Sequence, residues 1–493
     1  MTKKAIVSIA IFFATSFVYG QKPKQEGRFN VLFIAVDDLR PELGCYGREY
    51  IHSPNIDRLA SGGVVFLNHF VAVPTCGASR ASILTGRWPR SVQDIGNEAM
   101  EYKIAGRKKS DVPETFIHAL RRSGYYTVGI GKISHSPDGY VYKYLQPKSE
   151  KPELPESWNE MLFNPGKWGT GWNAFFGYAN GTNRNTLKGA VKPYESADAG
   201  DESYPDGLTA GLAVQKLQEL AAKGQPFFLG VGFFKPHLPF NAPKKYWDMY
   251  NESEIALTPS PEIPKNVNVA SFHQSGEFNG YKLGEEKASL NKPVSDNYAR
   301  KLRHAYYASV SYVDAQVGKV LAELKKLKLE QNTIVVIWGD HGWHLGDDKV
   351  WGKHTLSEWA LRSPLIIKTP GERKGSSRSN KIVSSVDVYP TLMELCGIKM
   401  AYKTDGKSLV PLIRNPADKD WSNVAYSYYS RGITVRTEDY RFTKYFRNEE
   451  PALELYDHKA DPFENNNIAD TNPGILNSLL PLWDKGNTGL YDK

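Results

Sequence analysis

The sequence predicts an α/β protein with one large mixed, mostly parallel sheet sandwiched by helices, followed by a small C-terminal subdomain with an antiparallel sheet. Three observations predict it. Five short runs of β-branched, apolar or aromatic residues recur along the 493-residue chain, and four of the five end in charged residues or histidines. Helical spacing fills the intervals between them. After about Met400 the texture changes to shorter strand-like stretches.

The first run opens "RFNVLFIAVDDLRPELGCYG" and is apolar from Val31 to Val36, where Asp37 and Asp38 stop it. A run apolar on both faces fits a parallel strand, and the carboxyl end of such a strand is where these sheets place ligands. The others are "YYTVGIGKISH" (Tyr125 to His135), "PFFLGVGFFKPHLPF" (Pro226 to Phe240), "TIVVIWGDHG" (Thr333 to Gly342) and "SPLIIKTPG" (Ser363 to Gly371). Helical patterns follow Ser53, fill "ASILTG" and fill "DVPETFIHALRRSG", where Asp111 reads as the N-cap and Gly124 as the C-cap. A long helix carries Tyr306, Val310, Val313, Val317 and Leu321 at helical spacing. Two stretches, Tyr140 to Tyr204 and Asn251 to Pro293, lack periodicity and read as functional loops over the active face. In the first of them Trp168, Trp172 and Arg184 suit either sugar binding or surface packing. Near the end, "GITVRTEDYRFTKYF" reads as two strands around a turn, "ELYDHKADPFENNN" as a loop, and a closing helix completes the subdomain.

A composition of 41% hydrophobic and 24% charged residues excludes a disordered or fibrous chain. Lys3 and Lys4 precede the apolar run "AIVSIAIFFATSFV", and a cleavage pattern precedes Gln21; together they predict an exported protein with no stable membrane anchor. The formal charge of +8 falls to about +6 without the two signal lysines, a modest bias towards anionic partners. No Lys/Arg-rich run interleaved with aromatics suggests nucleic acid. Three cysteines, Cys45, Cys76 and Cys396, allow at most one disulfide, so the core rather than cross-links holds the fold.

If the strands are parallel neighbours, Asp37, Asp38, Lys132, His135, Lys235, His237, Asp340 and His341 gather on one sheet edge. One aspartate after a strand is well explained as a helix N-cap. Two such positions on one edge call for a divalent cation, Ca²⁺ or Mg²⁺ for the carboxylates, with His341 pulling towards zinc or manganese. Lys132 and Lys353 would face an oxyanion, which points to phosphoryl or sulfuryl transfer without separating them. Cys76, in "PTCGASRASILTGR", remains open as a buried thiol, a metal ligand, a nucleophile or a residue altered before it acts.

That segment resembles the sulfatase signature Cys-x-Pro-Ser-Arg followed by x-x-x-Leu-Thr-Gly-Arg, through Cys76, Ser79, Arg80, Leu84, Thr85, Gly86 and Arg87. "VDDLRPELGCYG", "SPNIDRLA", "GIGKISH", "FFKPHLPF" and "GDHGWHLGDDKVWGK" are similar, in the same order, to segments of iduronate 2-sulfatases. The resemblance implies an alkaline-phosphatase-like fold and a sulfuric ester hydrolase acting on a sulfated, uronic-acid-containing polysaccharide: 2-O-sulfated iduronate or uronate of glycosaminoglycan type, or algal ulvan. It implies one Ca²⁺ held by Asp37, Asp38, Asp340, His341 and the modified Cys76, which a maturation enzyme oxidises to Cα-formylglycine (3-oxoalanine). Arg80 and His135 then serve the diol, Lys132 and Lys353 bind sulfate, His237 protonates the leaving oxygen, and His344 is a substrate contact or an exposed loop residue. Ala78 stands where the signature has proline, which bears on how readily Cys76 is converted. The implied organisation is a signal peptide over 1–20, a linker over 21–28, a catalytic domain over 29–399 and a C-terminal subdomain over 400–493, in the periplasm or secreted. The competing readings are a phosphate or phosphonate ester hydrolase, and a secreted glycan-binding protein should Cys76 stay a thiol.

Overall fold

A computed structural model describes residues 28–108, 111–371 and 377–492. The expected signal peptide, and the linker up to residue 27, lie outside the described residues. In chain order the strands are β1 (Asn30–Val36), β2 (Val64–Phe70), β3 (Tyr126–Gly131), β4 (Glu160–Leu162), β5 (Tyr194–Ala197), β6 (Phe227–Phe233), β7 (Phe240–Pro243), β8 (Thr333–Gly339), β9 (His344–Leu345) and β10 (Trp351–Gly352). They continue with β11 (Leu365–Lys368), β12 (Ser377–Ser384), β13 (Ala425–Tyr429), β14 (Gly432–Arg436), β15 (Tyr440–Tyr445) and β16 (Leu453–Asp457).

Eight of these strands form the main sheet in the order β12-β2-β11-β8-β1-β6-β3-β4. Every neighbour pair is parallel except those of β11, which runs antiparallel to β2 and β8. All seven residues of β1 are buried, as a central strand covered on both faces requires. Leu32, Ile34 and Val36 join a core with Tyr306, Val310, Val313 and Val317 of the long helix Asp296–Lys326. Val31, Phe33 and Ala35 face a second core containing Ile83, Leu84, Phe116, Leu120 and Tyr389. The alternation of a strand thus divides one apolar run between two helical layers, and each fully buried large side chain contributes about 1.5–3 kcal/mol.

The helix expected from Asp111 runs instead over Phe116–Arg122, because Thr115 caps it by accepting from His118 N at 3.0 Å. The first expected loop stretch supplies edge strand β4, and "ELYD", read as loop, is β16. In the C-terminal sheet, β13-β14-β15-β16 are antiparallel throughout, and Leu479 and Trp483 of the helix Pro473–Gly486 pack onto Ile433, Val435 and Phe442. Between 400 and 424 the chain still belongs to the main core through Leu409, Leu412 and Ile413. The C-terminal sheet is tied to the main one, since Tyr428 N donates to Ala72 O at 2.8 Å. All three cysteines are free and buried.

Candidate active site

Strand register assembles this site. Val36 pairs with Gly339 on one side and Phe233 on the other, and Gly131 pairs with Gly232. Asp37, Asp340, Lys132 and the loop after Phe233 therefore leave the sheet at one level of its carboxyl edge. Asp37 N donates to Phe233 O, Asp340 N to Val36 O and Lys132 N to Gly232 O, each at 3.2 Å. Asp38 then turns through a left-handed φ of 56°, with its N–H on Asp340 Oδ1 at 2.9 Å and its carbonyl accepting from Tyr306 OH at 2.7 Å.

The buried helix Cys76–Thr85 begins at the cysteine, one turn earlier than "ASILTG" predicts. Gly77 permits this, since a Cβ there would lie 2.0 Å from Asn97 O. The helix N-terminus brings Cys76 Sγ to 3.3 Å from His341 Nε2 and 3.3 Å from Lys353 Nζ, and favours negative charge at that point. One turn along, Arg80 donates through Nε and Nη2 to Asp340 Oδ2 at 3.0 and 2.9 Å, and through Nη1 to Lys132 O. Its Nη2 also lies 3.4 Å from Asp37 Oδ1, so this guanidinium clamps two carboxylates. Lys132 Nζ reaches Asp37 Oδ2 at 2.5 Å, and Lys353 Nζ reaches Asp38 Oδ1 at 2.8 Å. The structure thus brings together Asp37, Asp38, Cys76, Arg80, Lys132, Asp340, His341 and Lys353.

Cys76, Asp37, Asp340 and His341 offer donor atoms within 4.8 Å of one another. The Nδ1 of His341 lies 2.9 Å from Gly342 O, which fixes the proton there and leaves the Nε2 lone pair facing the carboxylates. Asp38 Oδ2 is buried without a hydrogen-bond partner. Burial, outweighing Lys353 and His341, pushes the Asp38 carboxyl well above the usual range. At Asp37 the same desolvation is outweighed by Lys132, His237 and Arg80, which hold it well below. An orphaned oxygen among hard carboxylate donors fits a divalent cation such as Ca²⁺.

Around this centre, His237 directs Nδ1 to Leu238 O at 2.6 Å and Nε2 towards Asp38 Oδ2 at 3.7 Å. Burial and Lys353 hold its imidazole down at about 4. His135 sits beside Trp172 with a ring separation of 5.2 Å, and its buried Nδ1 has no hydrogen-bond partner. Burial, aided by Lys132, keeps it neutral, well below its ordinary value.

Two sequence expectations are corrected. Lys235 does not join the site; its ammonium donates to His237 O at 2.8 Å and Pro239 O at 2.6 Å, bracing the loop that presents His237. His344 is not an exposed loop residue, and both of its ring nitrogens are engaged within the protein. It is fully buried, with Nδ1 3.1 Å from Asp347 O and Nε2 2.8 Å from Thr355 Oγ1, because it closes the β9–β10 turn that carries Lys353. Of the loop residues, Trp168 is packed away with its indole N–H on Tyr178 O at 3.2 Å, while Arg184 stacks on Phe176 and Tyr281.

Glu277 was missed. It stands on the one-turn helix Gly276–Asn279, inside the second aperiodic stretch, with Oε1 3.0 Å from His237 Nε2 and Oε2 3.5 Å from Lys353 Nζ. A lone glutamate in a loop carries no spacing signal, and nothing short of the folded loop would have found it.

Comparison with known proteins gives the context for this geometry. Residues 29–398 match the Sulfatase family, and residues 339–477 match the C-terminal region of N-sulphoglucosamine sulphohydrolase. Iduronate 2-sulfatase of Mus musculus is 28% identical, covering 92% of this chain and 93% of that protein. A sulfatase of Formosa agariphila is 30% identical over 94% of this chain and 89% of its own. Among solved structures, the phosphonate monoester hydrolase of Agrobacterium radiobacter superposes with a TM-score of 0.73 at 22% identity, covering 93% of this chain and 96% of that one. At that identity the likeness is one of fold.

Proposed function

The chain belongs to the sulfatase family and is a sulfuric ester hydrolase, and we propose that it is exported to desulfate a uronic-acid-containing glycan. The substrate class is 2-O-sulfated iduronate or uronate of glycosaminoglycan type, or the algal polysaccharide ulvan. Similarity to iduronate 2-sulfatase along nearly the whole chain supports this class. Export rests on the amino-terminal signal pattern, and among the described residues no helix is long and apolar enough to cross a membrane.

The observation that carries the mechanism is the position of Cys76 Sγ, at a helix N-terminus and 3.3 Å from both Lys353 Nζ and His341 Nε2. Burial, followed by Asp37, pushes the Cys76 thiol up to about 12, so as an unmodified side chain it is a poor nucleophile near neutral pH. Converted to formylglycine by a maturation enzyme, with dioxygen as the oxidant, and then hydrated, residue 76 would supply one oxygen nucleophile towards sulfur and a second hydroxyl through which sulfate could be released. Asp37, Asp38, Asp340, His341 and the modified residue 76 would hold a Ca²⁺, which would supply positive charge to the sulfate pocket.

The protein's own groups do the rest. Arg80 fixes the Asp37 and Asp340 carboxylates beside residue 76, and Lys132 and Lys353 hold sulfate oxygens. His135, neutral and with a free Nδ1, accepts the proton of the second hydroxyl. His237 Nε2, which faces Glu277 Oε1 at 3.0 Å, protonates the leaving sugar oxygen; burial is the larger cause that keeps the proton off, and a bound sulfate offsets the smaller contribution of Lys353.

The test is a panel of defined sulfated oligosaccharides, from heparan, dermatan, ulvan and carrageenan, alongside aryl sulfate and aryl phosphate. We expect release of sulfate from the 2-O-sulfated uronates and a rate on aryl sulfate well above that on aryl phosphate. Turnover confined to galactan sulfates, or a preference for phosphate, would contradict the proposal.

A further inference from the structure

Glu277 Oε1 faces His237 Nε2 at 3.0 Å, but its second oxygen has no role in the chemistry described above. It lies outside the group of donors able to hold the cation. A carboxylate beside a pocket built for a sulfate anion is repulsive unless it has a neutral donor to accept from.

Its position is fixed rather than incidental. Ser275, which precedes its short helix, holds φ at 52° and accepts through Oγ from Trp351 N at 3.0 Å. Phe278, the next residue, packs against Trp351 with ring centroids 5.9 Å apart. The Glu277 loop is therefore stitched to the β9–β10 turn that delivers Lys353. Lys353 Nζ lies 3.3 Å from Cys76 Sγ and 3.5 Å from Glu277 Oε2, so a single ammonium separates the carboxylate from the nucleophile position. Glu277 Oε2 is buried and accepts no hydrogen bond, although the side chain as a whole stays 24% exposed at the rim. Burial alone would raise this carboxyl, but Lys353 and His237 outweigh it and keep the group ionised, an acceptor only.

We propose that Glu277 reads the sugar carbon next to the sulfate ester, accepting a hydrogen bond from a free hydroxyl there and rejecting a second sulfate at that carbon. With Lys353 holding the sulfate beside residue 76, the adjoining sugar carbon comes next to Glu277, and a ring hydroxyl there is the neutral donor that Oε2, which accepts no hydrogen bond, lacks. This rests on the sulfatase reading and deepens it. The substrate is a sulfate ester with an unsubstituted neighbouring hydroxyl, so a vicinally disulfated residue is a substrate only after another sulfatase has removed the neighbouring group.

The test compares wild type, Glu277→Gln and Glu277→Ala, each corrected for the fraction of Cys76 converted. The probes are methyl iduronoside 2-sulfate, its 2,3-disulfate, and p-nitrophenyl sulfate, which has no neighbouring hydroxyl. We expect the loss of kcat/KM on the monosulfate to exceed that on p-nitrophenyl sulfate by about 10- to 100-fold, and the preference for monosulfate over disulfate to narrow. Equal losses on all three probes would overturn the proposal and reduce Glu277 to a positioning residue for Lys353 and His237. If wild type ignores both iduronosides but desulfates another sugar, the uronate assignment fails, and the same comparison on that sugar and its vicinal disulfate decides on Glu277. If wild type hydrolyses p-nitrophenyl sulfate and no sugar sulfate, the Glu277 proposal falls with it.

Discussion

The carboxyl edge of the main sheet and the seam where it meets the C-terminal sheet both bury carboxylates beside arginines, yet they are balanced differently. At the seam, Glu358 meets Arg436 Nε at 3.1 Å and also pairs with Arg441. Glu464 pairs with Arg441, lies 2.9 Å from His458 Nε2 and accepts from Glu358 N at 2.8 Å. Two carboxylates face two guanidinium groups, and the charges cancel within the protein. At the sheet edge, Asp37, Asp38, Asp340 and Glu277, when all are ionised, exceed Arg80, Lys132 and Lys353 by one negative charge, which is why burial pushes the Asp38 carboxyl up, and Asp38 Oδ2 accepts no hydrogen bond. A dication reverses that sign, and a bound sulfate monoester returns it to neutral. Groups able to hold a metal occur in both places. Only where the protein leaves the charge unfinished is there a site; where arginine finishes it, there is a joint between sheets.

This contrast can be broken most severely at Cys76. Cys76→Ala should cut sulfate release by about 10⁴-fold or more, while the thermal transition of the variant stays near that of wild type. Chelation is the next largest effect. Removing divalent cations should abolish turnover and lower the transition temperature, and adding Ca²⁺ at about a hundredfold excess over its Kd should restore both, worth about 2.7 kcal/mol of stability. At the seam the pattern inverts: Arg441→Met leaves Glu358 with Arg436 alone and Glu464 with His458 alone, one guanidinium short of balance, and should cost about 3 kcal/mol in urea unfolding, with kcat per folded molecule retained and no change in calcium dependence.

The smallest effect sharpens the seam by pH. Burial raises the Glu454 carboxyl from 4.5 to about 7, against hydrogen bonds from Ser271 and the nearby Arg447. A folded value above the unfolded one means the stabilising contribution is complete below pH 4.5 and is lost as pH rises through 7. Unfolding free energies from urea titrations between pH 4.5 and 7.5 should therefore fall by about 3 kcal/mol more in wild type than in Glu454→Gln.

The sequence made the open site readable for a physical reason. Asp37, Asp38, Asp340 and His341 each follow an apolar run, and a parallel strand places whatever ends it on the ligand edge. Where a side chain swings after that point is set by tertiary contacts. Lys235 ends such a run as plainly as Lys132 does, yet it turns back onto two carbonyls. His344 looked exposed in a polar loop and is sealed by Asp347 and Thr355. The helix at Cys76 starts ahead of its apolar pattern because its first turn is made of small residues packed against Asn97, which hydropathy does not register. Glu277 and the seam pairs depend on contacts between residues far apart in the chain, such as Glu358 with Arg441, and no local pattern encodes them.

The central claim is that position 76 works only after chemical conversion. Peptide mapping of the active protein by mass spectrometry tests it most directly, since conversion of cysteine to formylglycine removes about 18 Da. We predict that the Cys76 peptide carries this loss and that sulfate release per molecule rises in proportion to the converted fraction across preparations. Full activity in protein whose Cys76 remains an unmodified thiol would contradict the account.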